Sequence, residues 1–333
     1  MINNLPATRL GRRGALALGG GLFATLVVAG CGGPSGGQDK AAGDAGMRTV
    51  QSFQGPVDVP SAPASIVLVA ATHLLELPDV NAVGLTEDPF YQGMTTKELA
   101  AKYAAIPKIG TPREIDYEGI AAMAPDVIVV CMPAPGLTDG SGNLERLAEI
   151  APVGAVPPKK PDDRLVQFAD LADVINQRAA AEALMARVQQ QATEVGKRHA
   201  AFLKGKKALA VNSWEQDGTI AIQYAGEWDS TVGAMIGMEC IQGGKLGGTY
   251  AAEQAVGLLS EADLIVVGGN NTGELAPLPD VKAFLEGKLG QSIPAVKNDR
   301  LIQIPSGGDR SWTLAEVVIG VLDERLTQLA AKA

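Results

Sequence analysis

Two segments in opposite halves of the chain follow the same pattern, and this repeat limits the folds that the sequence can adopt. Residues 117–130 and 252–267 each begin with a short helical stretch, turn at an aspartate and end in four apolar residues. Such an apolar run is typical of a strand buried on both faces of a parallel sheet. Glu118 and Glu253 open the helical stretches, where the helix dipole favours a carboxylate. The repeat predicts two similar α/β units.

The segment between the repeats is predicted to be one long helix. Ala179–Leu203 contains no proline, and Leu184, Val188, Ala192 and Val195 recur at three- and four-residue spacing, which is typical of one buried helix face. At 1.5 Å per residue this helix would be about 35–40 Å long, enough to reach from one lobe to the other. An ordinary surface helix of one lobe is the alternative.

We therefore expect an α/β fold in which two Rossmann-like α/β lobes are joined by one long backbone helix, with a ligand cleft between the lobes. The N-terminal lobe would span residues 49–163, opened by a β-hairpin at Thr49–Pro60. Residues 164–204 would form a linking region that includes the backbone helix. The C-terminal lobe would span residues 205–333.

The first thirty residues are predicted to be an export signal. Arg9, Arg12 and Arg13 precede an apolar run at residues 15–28. A run this short, with glycines in it, suits a signal peptide better than a membrane-spanning helix, which needs about 20 strongly apolar residues. We therefore expect residues 1–30 to be removed. The adjacent Arg12-Arg13 pair also resembles a twin-arginine signal, so export by that route is an alternative to general secretion.

The residues at the end of this segment, Val28-Ala29-Gly30-Cys31, resemble a lipobox, in which the cysteine is acylated and the chain is cut just before it. Residues 31–48 would form a flexible tether, because glycines dominate its start. We expect lipidated Cys31 to hold the protein at the extracytoplasmic face of the cell membrane. An ordinary cleaved signal with Cys31 as an unused thiol is the alternative.

Charge and side-chain chemistry argue against several classes of function. The formal net charge is −9, and removal of the three signal-peptide arginines makes it −12, which argues against nucleic acid as a partner. The two histidines, His73 and His199, are too few for a conventional metal site, and we expect His199 on a solvated helix face. No hydrolase or phosphate-loop motif occurs, so we expect no enzymatic activity, with an exported hydrolase using His73 as base as the alternative. We expect Cys131 and Cys240 to be buried thiols.

Three further segments lie at characteristic places relative to the two repeats. Ile106–Gly110 leads towards Glu118, Leu147–Val153 enters a predicted strand, and Ala295–Leu301 precedes the last one. In their order and spacing these segments make the chain resemble a class III, helical-backbone substrate-binding protein of an ABC importer. This family comprises receptors for ferric siderophores, haem and cobalamin. The resemblance runs from Thr49 to Leu329.

The resemblance implies a monomeric receptor that holds a small molecule between its lobes and performs no reaction on it. Its partners would be an ABC importer permease and an iron chelate, with the lipid anchor as its contact to the membrane. In this family an exposed glutamate on each lobe pairs with arginines of the permease, and the matching positions are Glu118 and Glu253. Two fixed carboxylates on a stiff spacer also suit such docking physically, because their charge steers the encounter.

Ligands of α/β lobes meet the loops that follow the carboxyl ends of the strands. This rule, with the aromatic and charged side chains of those loops, nominates the cleft residues. Arginine is a candidate for the oxygen atoms of a chelated ligand because guanidinium donates two parallel hydrogen bonds. For each tryptophan, a place in the core is the alternative. The candidates are His73, Tyr91, Arg113, Met132, Trp214, Tyr224, Trp228, Tyr250, Asn270, Arg310 and Trp312.

Among possible ligands, a ferric siderophore is preferred, because its chelator already saturates the iron and the protein needs no metal ligand or cofactor of its own. Haem would want an axial ligand, which His73, Tyr91 or Tyr250 could supply. Cobalamin is a third possibility. A lipoprotein sensor or scaffold that imports nothing is the alternative from a different class.

Overall fold

The computed structural model describes residues 46–92, 95–132, 143–157, 164–212, 219–225, 228–242, 248–270, 276–277, 279–307 and 310–332. The predicted signal peptide and Cys31 lie outside these residues.

The first lobe consists of a β-hairpin and a sheet of four short parallel strands. The hairpin strands β1 and β2 pair antiparallel, and the sheet has the order β4-β3-β5-β6 with all neighbours parallel. The strands are β1 (Met47–Ser52), β2 (Gly55–Pro60), β3 (Ile66–Val69), β4 (Ala82–Leu85), β5 (Val127–Cys131) and β6 (Val153–Val156).

Helices α1 (Lys97–Ala105), α2 (Tyr117–Met123) and α3 (Asn143–Ala148) belong to this lobe, together with 3₁₀ helices at Thr72–Glu76 and Pro89–Gln92. Strands β3, β5 and β6 are buried at every position. This burial confirms what their continuous apolar sequence predicts for a sheet covered on both faces.

The hairpin covers the outer edge of this sheet. The backbone N–H of Phe53 donates to the carbonyl oxygen of Ala155 in β6 at 2.7 Å, and the N–H of Ala155 donates to Oγ of Ser52 at 2.9 Å. Strand β6 therefore has hydrogen-bond partners on both sides, although it is the last strand of the sheet. The predicted hairpin at Thr49–Pro60 is confirmed.

The linking region holds helices α4 (Arg164–Val174) and α5 (Arg178–Leu203). Helix α5 has 26 residues, and the four apolar positions that predicted its inner face are all buried. The long backbone helix is thus confirmed. Helix α4 was not predicted as a separate element.

The second lobe is built on a mixed sheet. Strands β7, β11 and β13 are parallel neighbours, while β8 pairs antiparallel with β7 and with β10. The strands are β7 (Lys207–Asn212), β8 (Ile220–Gln223), β9 (Glu239–Cys240), β10 (Gly248–Tyr250), β11 (Leu264–Asn270), β12 (Ala276–Pro277) and β13 (Leu301–Pro305). The helices are α6 (Trp228–Met235), α7 (Ala252–Leu259), α8 (Pro279–Glu286), α9 (Pro294–Lys297) and α10 (Trp312–Ala331), with a 3₁₀ turn at Gly290–Ser292.

The sequence repeat corresponds to a repeated structural device. Before β5, Asp126 accepts hydrogen bonds from the backbone N–H groups of Ala64 and Ser65, at the start of β3. Before β11, Asp263 accepts from the N–H of Lys207, at the start of β7. In each lobe the aspartate therefore ties the repeat's strand to its parallel neighbour, which fixes the register of the two central strands.

Helix α10 packs along the backbone helix through ion pairs. Arg187 of α5 makes two hydrogen bonds of 3.0 Å with the carboxylate of Glu316. The carboxylate of Asp323 lies 2.7 Å from Nε2 of His199 and also accepts from Arg198. The prediction that His199 lies on a solvated face is wrong, because α10 covers it and leaves it 4% exposed.

Replacing Asp323 with Ala is expected to lower the free energy of unfolding by about 2 kcal/mol, because the buried His199 loses its hydrogen-bond partner. The partner contacts lower the pKa of Asp323 against the opposing effect of its burial, so its contribution is present at neutral pH and is lost as the pH falls. Urea unfolding at pH 7 measures the change. Glu324→Ala, at an exposed position of the same helix, is the control, and equal losses in both variants would contradict the assignment.

One apolar cluster joins the two lobes, beside a separate cluster within each lobe. The largest buried cluster is continuous from Leu68 in the first lobe through Phe168 and Val188 of the linking helices to Ile319 of α10. Cys131 and Cys240 are buried and form no disulfide, as the sequence predicts. No helix in the described part of the chain combines the length and hydropathy needed to cross a membrane.

Candidate functional site

The loops at the carboxyl ends of strands from both lobes meet. The residues after β3 and β4 contact the residues between β13 and the start of α10. We call this set the interlobe junction, and it comprises residues 72–76 and 86–91 of the first lobe and 306–307 and 310–313 of the second. Such loops are where ligands of α/β sheets bind.

An arginine of the second lobe faces a fixed carboxylate of the first. Asp88 accepts hydrogen bonds from the hydroxyl of Thr72 at 2.9 Å and from the backbone N–H of Phe90 at 3.1 Å. Nη1 of Arg310 lies 4.0 Å from Oδ1 of Asp88, and the guanidinium carbon lies 5.6 Å from the centre of the Phe90 ring. Both charged side chains keep part of their surface in solvent. The pair places an oriented cation at the edge of the junction.

The Phe90 ring also fixes the approach of the two loops. A Cβ atom at Gly307 would overlap Cε2 of this ring, and the φ of Gly307 is +88°. Glycine is therefore required at position 307 for both reasons, because side chains disfavour this φ and the ring occupies the space. The ring of one lobe lies directly against the backbone of the other.

Glu76 reaches across the junction to the start of α10. Its Oε2 accepts a hydrogen bond of 2.7 Å from the backbone N–H of Thr313, and Oε1 is inaccessible to solvent. Burial raises the pKa of Glu76 from 4.5 to about 7, although the hydrogen-bond donors of residues 311–313 act to lower it. The carboxyl group therefore titrates near neutral pH.

Several predicted cleft residues are buried at or beside the junction. Tyr91 is 2% exposed and stacks on Tyr103 with 5.5 Å between ring centres, and its burial raises its pKa well above the usual value. Trp312 is 3% exposed, and its Nε1 donates to the carbonyl oxygen of Leu165. These two predictions need correction, because both rings pack into the core and present no surface to a ligand in this conformation.

Met132 and His73 require the same correction. Met132 is buried in the core of the first lobe, and its carbonyl oxygen accepts from Nε2 of Gln167 at 2.8 Å. The same amide donates to the carbonyl oxygen of Val156, so it ties together the ends of β5 and β6. His73 is buried with its ring centre 5.9 Å from that of Phe168.

The remaining candidates have different positions. Arg113 is exposed in a turn before α2, and Tyr224 and Tyr250 are half-buried at the end of β8 and in β10. Trp214 lies outside the described residues, and for Trp228 and Asn270 only the backbone is described. The structure thus brings Arg310 and Trp312 to the first-lobe segment that holds His73 and Tyr91.

Asp88, Phe90 and Glu76 were missed from the sequence. Asp88 and Phe90 follow the end of β4 closely, so the rule about carboxyl ends of strands could have nominated them. Glu76 lies in the same 3₁₀ helix after β3 as His73, so the rule could have nominated it too, but its contact with Thr313, 237 residues further along the chain, has no local signal.

The two repeated glutamates are exposed at matching places in the two lobes. Glu118 lies in the first turn of α2, where Asp116 caps the helix by accepting from the N–H of Gly119, and Glu253 lies in the first turn of α7. Each helix leads through a short turn into a parallel strand, so its N-terminus lies at the carboxyl edge of its sheet. Both carboxylates are therefore at the same edge as the junction loops.

Comparisons with known proteins agree on the fold. A family model described as periplasmic binding protein matches residues 69–307. The siderophore periplasmic binding protein from the fuscachelin gene cluster of Thermobifida fusca is 23% identical, with a TM-score of 0.67 over 81% of this chain and 98% of that one. Staphylococcus aureus SirA, solved in complex with staphyloferrin B, is 18% identical, with a TM-score of 0.64 over 84% and 98% of the two chains.

The iron-uptake system-binding protein FeuA from Bacillus subtilis is similar to the same extent. It is 17% identical, with a TM-score of 0.65 over 84% of this chain and 100% of that one. No curated protein sequence matches the chain. At these identities the solved structures establish the two-lobed fold alone.

Proposed function

Because the chain belongs to the periplasmic binding protein family, we propose that it captures a ferric siderophore outside the cytoplasm and delivers it to the permease of an ABC importer. The observation that carries this proposal is the junction, where Arg310 of one lobe lies beside Asp88 and Phe90 of the other. The names of the T. fusca and S. aureus proteins, a siderophore-binding protein and a staphyloferrin B complex, support this ligand class. The family consists of binding proteins, and no reaction is assigned to the chain.

A chelated iron suits this kind of site. The chelator fills the coordination sphere of the iron, so the protein contacts only the outer atoms of the complex. A guanidinium group binds chelator oxygens through paired hydrogen bonds, and an aromatic face packs against the chelator's carbon atoms. The burial of His73 and Tyr91 weighs against haem, because it removes two of the three candidate axial ligands and leaves the half-buried Tyr250.

Titration with candidate ligands tests the proposal. Ferrioxamine E, haemin and cobalamin are added separately, and the fluorescence of the three tryptophans is recorded. Ferrioxamine E is expected to quench the fluorescence saturably, whereas iron-free desferrioxamine E is the control for an effect of the chelator alone. Saturable quenching by haemin alone or by cobalamin alone would identify that compound's class as the ligand instead. No quenching by any of the three would contradict the importer function.

Asp88 is expected to set the preference for ligand charge. Asp88→Asn removes the carboxylate beside Arg310, so an anionic chelate such as ferric citrate should bind about tenfold more tightly, while neutral ferrioxamine E changes little. Glu87→Gln makes the same change of charge one residue away, at an exposed side chain. Isothermal titration of both variants measures the ratio. An equal gain in the two variants would show a general charge effect and no role for the pair.

The proposal extends to the N-terminus and to partners. A lipid on Cys31 would hold the receptor near its permease, residues 31–48 would give it reach, and Glu118 and Glu253 would dock on permease arginines. Export of residues 1–30 by the twin-arginine route is open beside general secretion. We propose that the receptor works as a monomer, in contact with the membrane through its lipid alone and without nucleic acid.

A further inference from the structure

Helix α10 is fixed within the second lobe but makes a polar contact to the first. The guanidinium of Arg325 donates to the carbonyl oxygens of Leu301 and Asp299, which attaches the helix to the start of β13. At its other end, Thr313 donates to Glu76 of the first lobe. A change in the angle between the lobes must therefore stretch or break this hydrogen bond.

The contact completes the cap of α10. The hydroxyl of Ser311 accepts from the N–H of Leu314 at 3.0 Å, and Oε2 of Glu76 accepts from the N–H of Thr313 at 2.7 Å. The first N–H groups of a helix have no partner within the helix. One of them is here satisfied by a side chain that belongs to the other lobe.

The surroundings of Glu76 disfavour its charge when the junction is closed. Glu76 faces the hydrogen-bond donors of residues 311–313, at the start of α10, and the hydroxyl of Tyr91. A charge on Glu76 raises the pKa of Tyr91. His73 lies on the same 3₁₀ turn. Asp88 and Arg310 pair with each other across the junction. Opening the junction would admit water and return the carboxyl group to its ordinary acidity.

We propose that Glu76 is a positioning residue that sets the separation of the two lobes, and that its protonation tightens the contact between the first lobe and α10. The closed junction binds the proton more strongly than the open one, so closure takes up a proton between about pH 4.5 and about pH 7. A protonated carboxyl group keeps a carbonyl oxygen that accepts from Thr313, whereas an ionised one pulls water into the junction. The consequence for the ligand rests on the proposed function.

Hydrogen exchange at the Thr313 amide tests the contact without any ligand. Exchange is followed by mass spectrometry at pH 5.5 and pH 8 and corrected for the intrinsic pH dependence of the amide. The wild type should lose protection about tenfold or more on going to pH 8. Glu76→Gln, a neutral acceptor at both pH values, should keep the protection constant. Glu149→Gln, at an exposed glutamate, should behave as the wild type. A wild-type profile without pH dependence would overturn the proposal even if the Gln variant did not fold.

Ligand affinity tests the positioning role. Ferrioxamine E keeps its iron across this pH range, and the wild type should bind it several-fold more tightly at pH 5.5 than at pH 8, while Glu76→Gln binds equally at both. An affinity that stays constant in the wild type while the exchange changes would overturn the positioning role. If ferrioxamine E, haemin and cobalamin all fail to bind, the proposed function fails, and the exchange result still decides whether Glu76 controls the junction.

Discussion

Glu76→Gln is expected to make the protein more stable at pH 8, by about 2 kcal/mol in the free energy of unfolding. Burial raises the pKa of Glu76 from 4.5 to about 7, and a tenfold change in a proton-binding constant corresponds to about 1.4 kcal/mol. The residue is half-buried as a whole, so solvent screening reduces the full amount. Glutamine keeps an acceptor for the N–H of Thr313 without the charge.

The dependence on pH has a definite sign. Between about pH 4.5 and about pH 7 the folded wild type binds more protons at Glu76 than the unfolded chain does, so its stability falls as the pH rises through this interval. The difference between variant and wild type should therefore be full at pH 8 and nearly absent at pH 4.5. Urea unfolding at these two pH values measures it. A variant less stable than the wild type at pH 8 would show that the charged form is favoured in the folded state.

The second large effect concerns uptake. Replacing both Glu118 and Glu253 with Ala is expected to reduce iron-chelate uptake by cells about tenfold or more, because the receptor would lose both fixed charges of the proposed docking pair. Ligand affinity should stay unchanged. Transport of the radioactive iron chelate and fluorescence titration of the purified receptor measure the two quantities.

A matched control is the replacement of Glu149 and Glu261 with Ala, which removes the same charge from other exposed positions. That variant should transport normally. A loss of ligand affinity in the Glu118 and Glu253 variant would place these carboxylates in the ligand site and contradict their docking role.

The sequence predicted those elements whose apolar pattern is complete within one continuous segment. Strand β5 is a run of β-branched residues, and α5 shows an apolar face over many turns, so each pattern is contained within its own segment. Helix α1 was missed although Thr96 caps it and Leu99 and Tyr103 form its buried face. Its sequence is mostly alanine and charged residues, which gives a weak apolar pattern.

The candidate site could be predicted only in part, because it depends on contacts between distant residues. The rule about carboxyl ends of strands nominated loops that meet at the interlobe junction, where Arg310 lies beside Asp88. The rule does not say which side chains point into the core, so Tyr91 and Trp312 were placed on a surface that they do not occupy. Burial raises the pKa of Glu76, and Glu76 is buried against a segment that includes Thr313, 237 residues further along the chain.

The hairpin at the start of the first lobe has a consequence for contacts between copies of the protein. A bare parallel edge would offer unsatisfied backbone groups to any neighbouring copy, and strand-to-strand aggregation follows from such edges. Phe53 and Ser52 occupy those groups on β6, while Pro56 and Pro60 leave the hairpin with fewer donors of its own. This edge of the first-lobe sheet is therefore closed to strand pairing with a neighbouring copy of the protein.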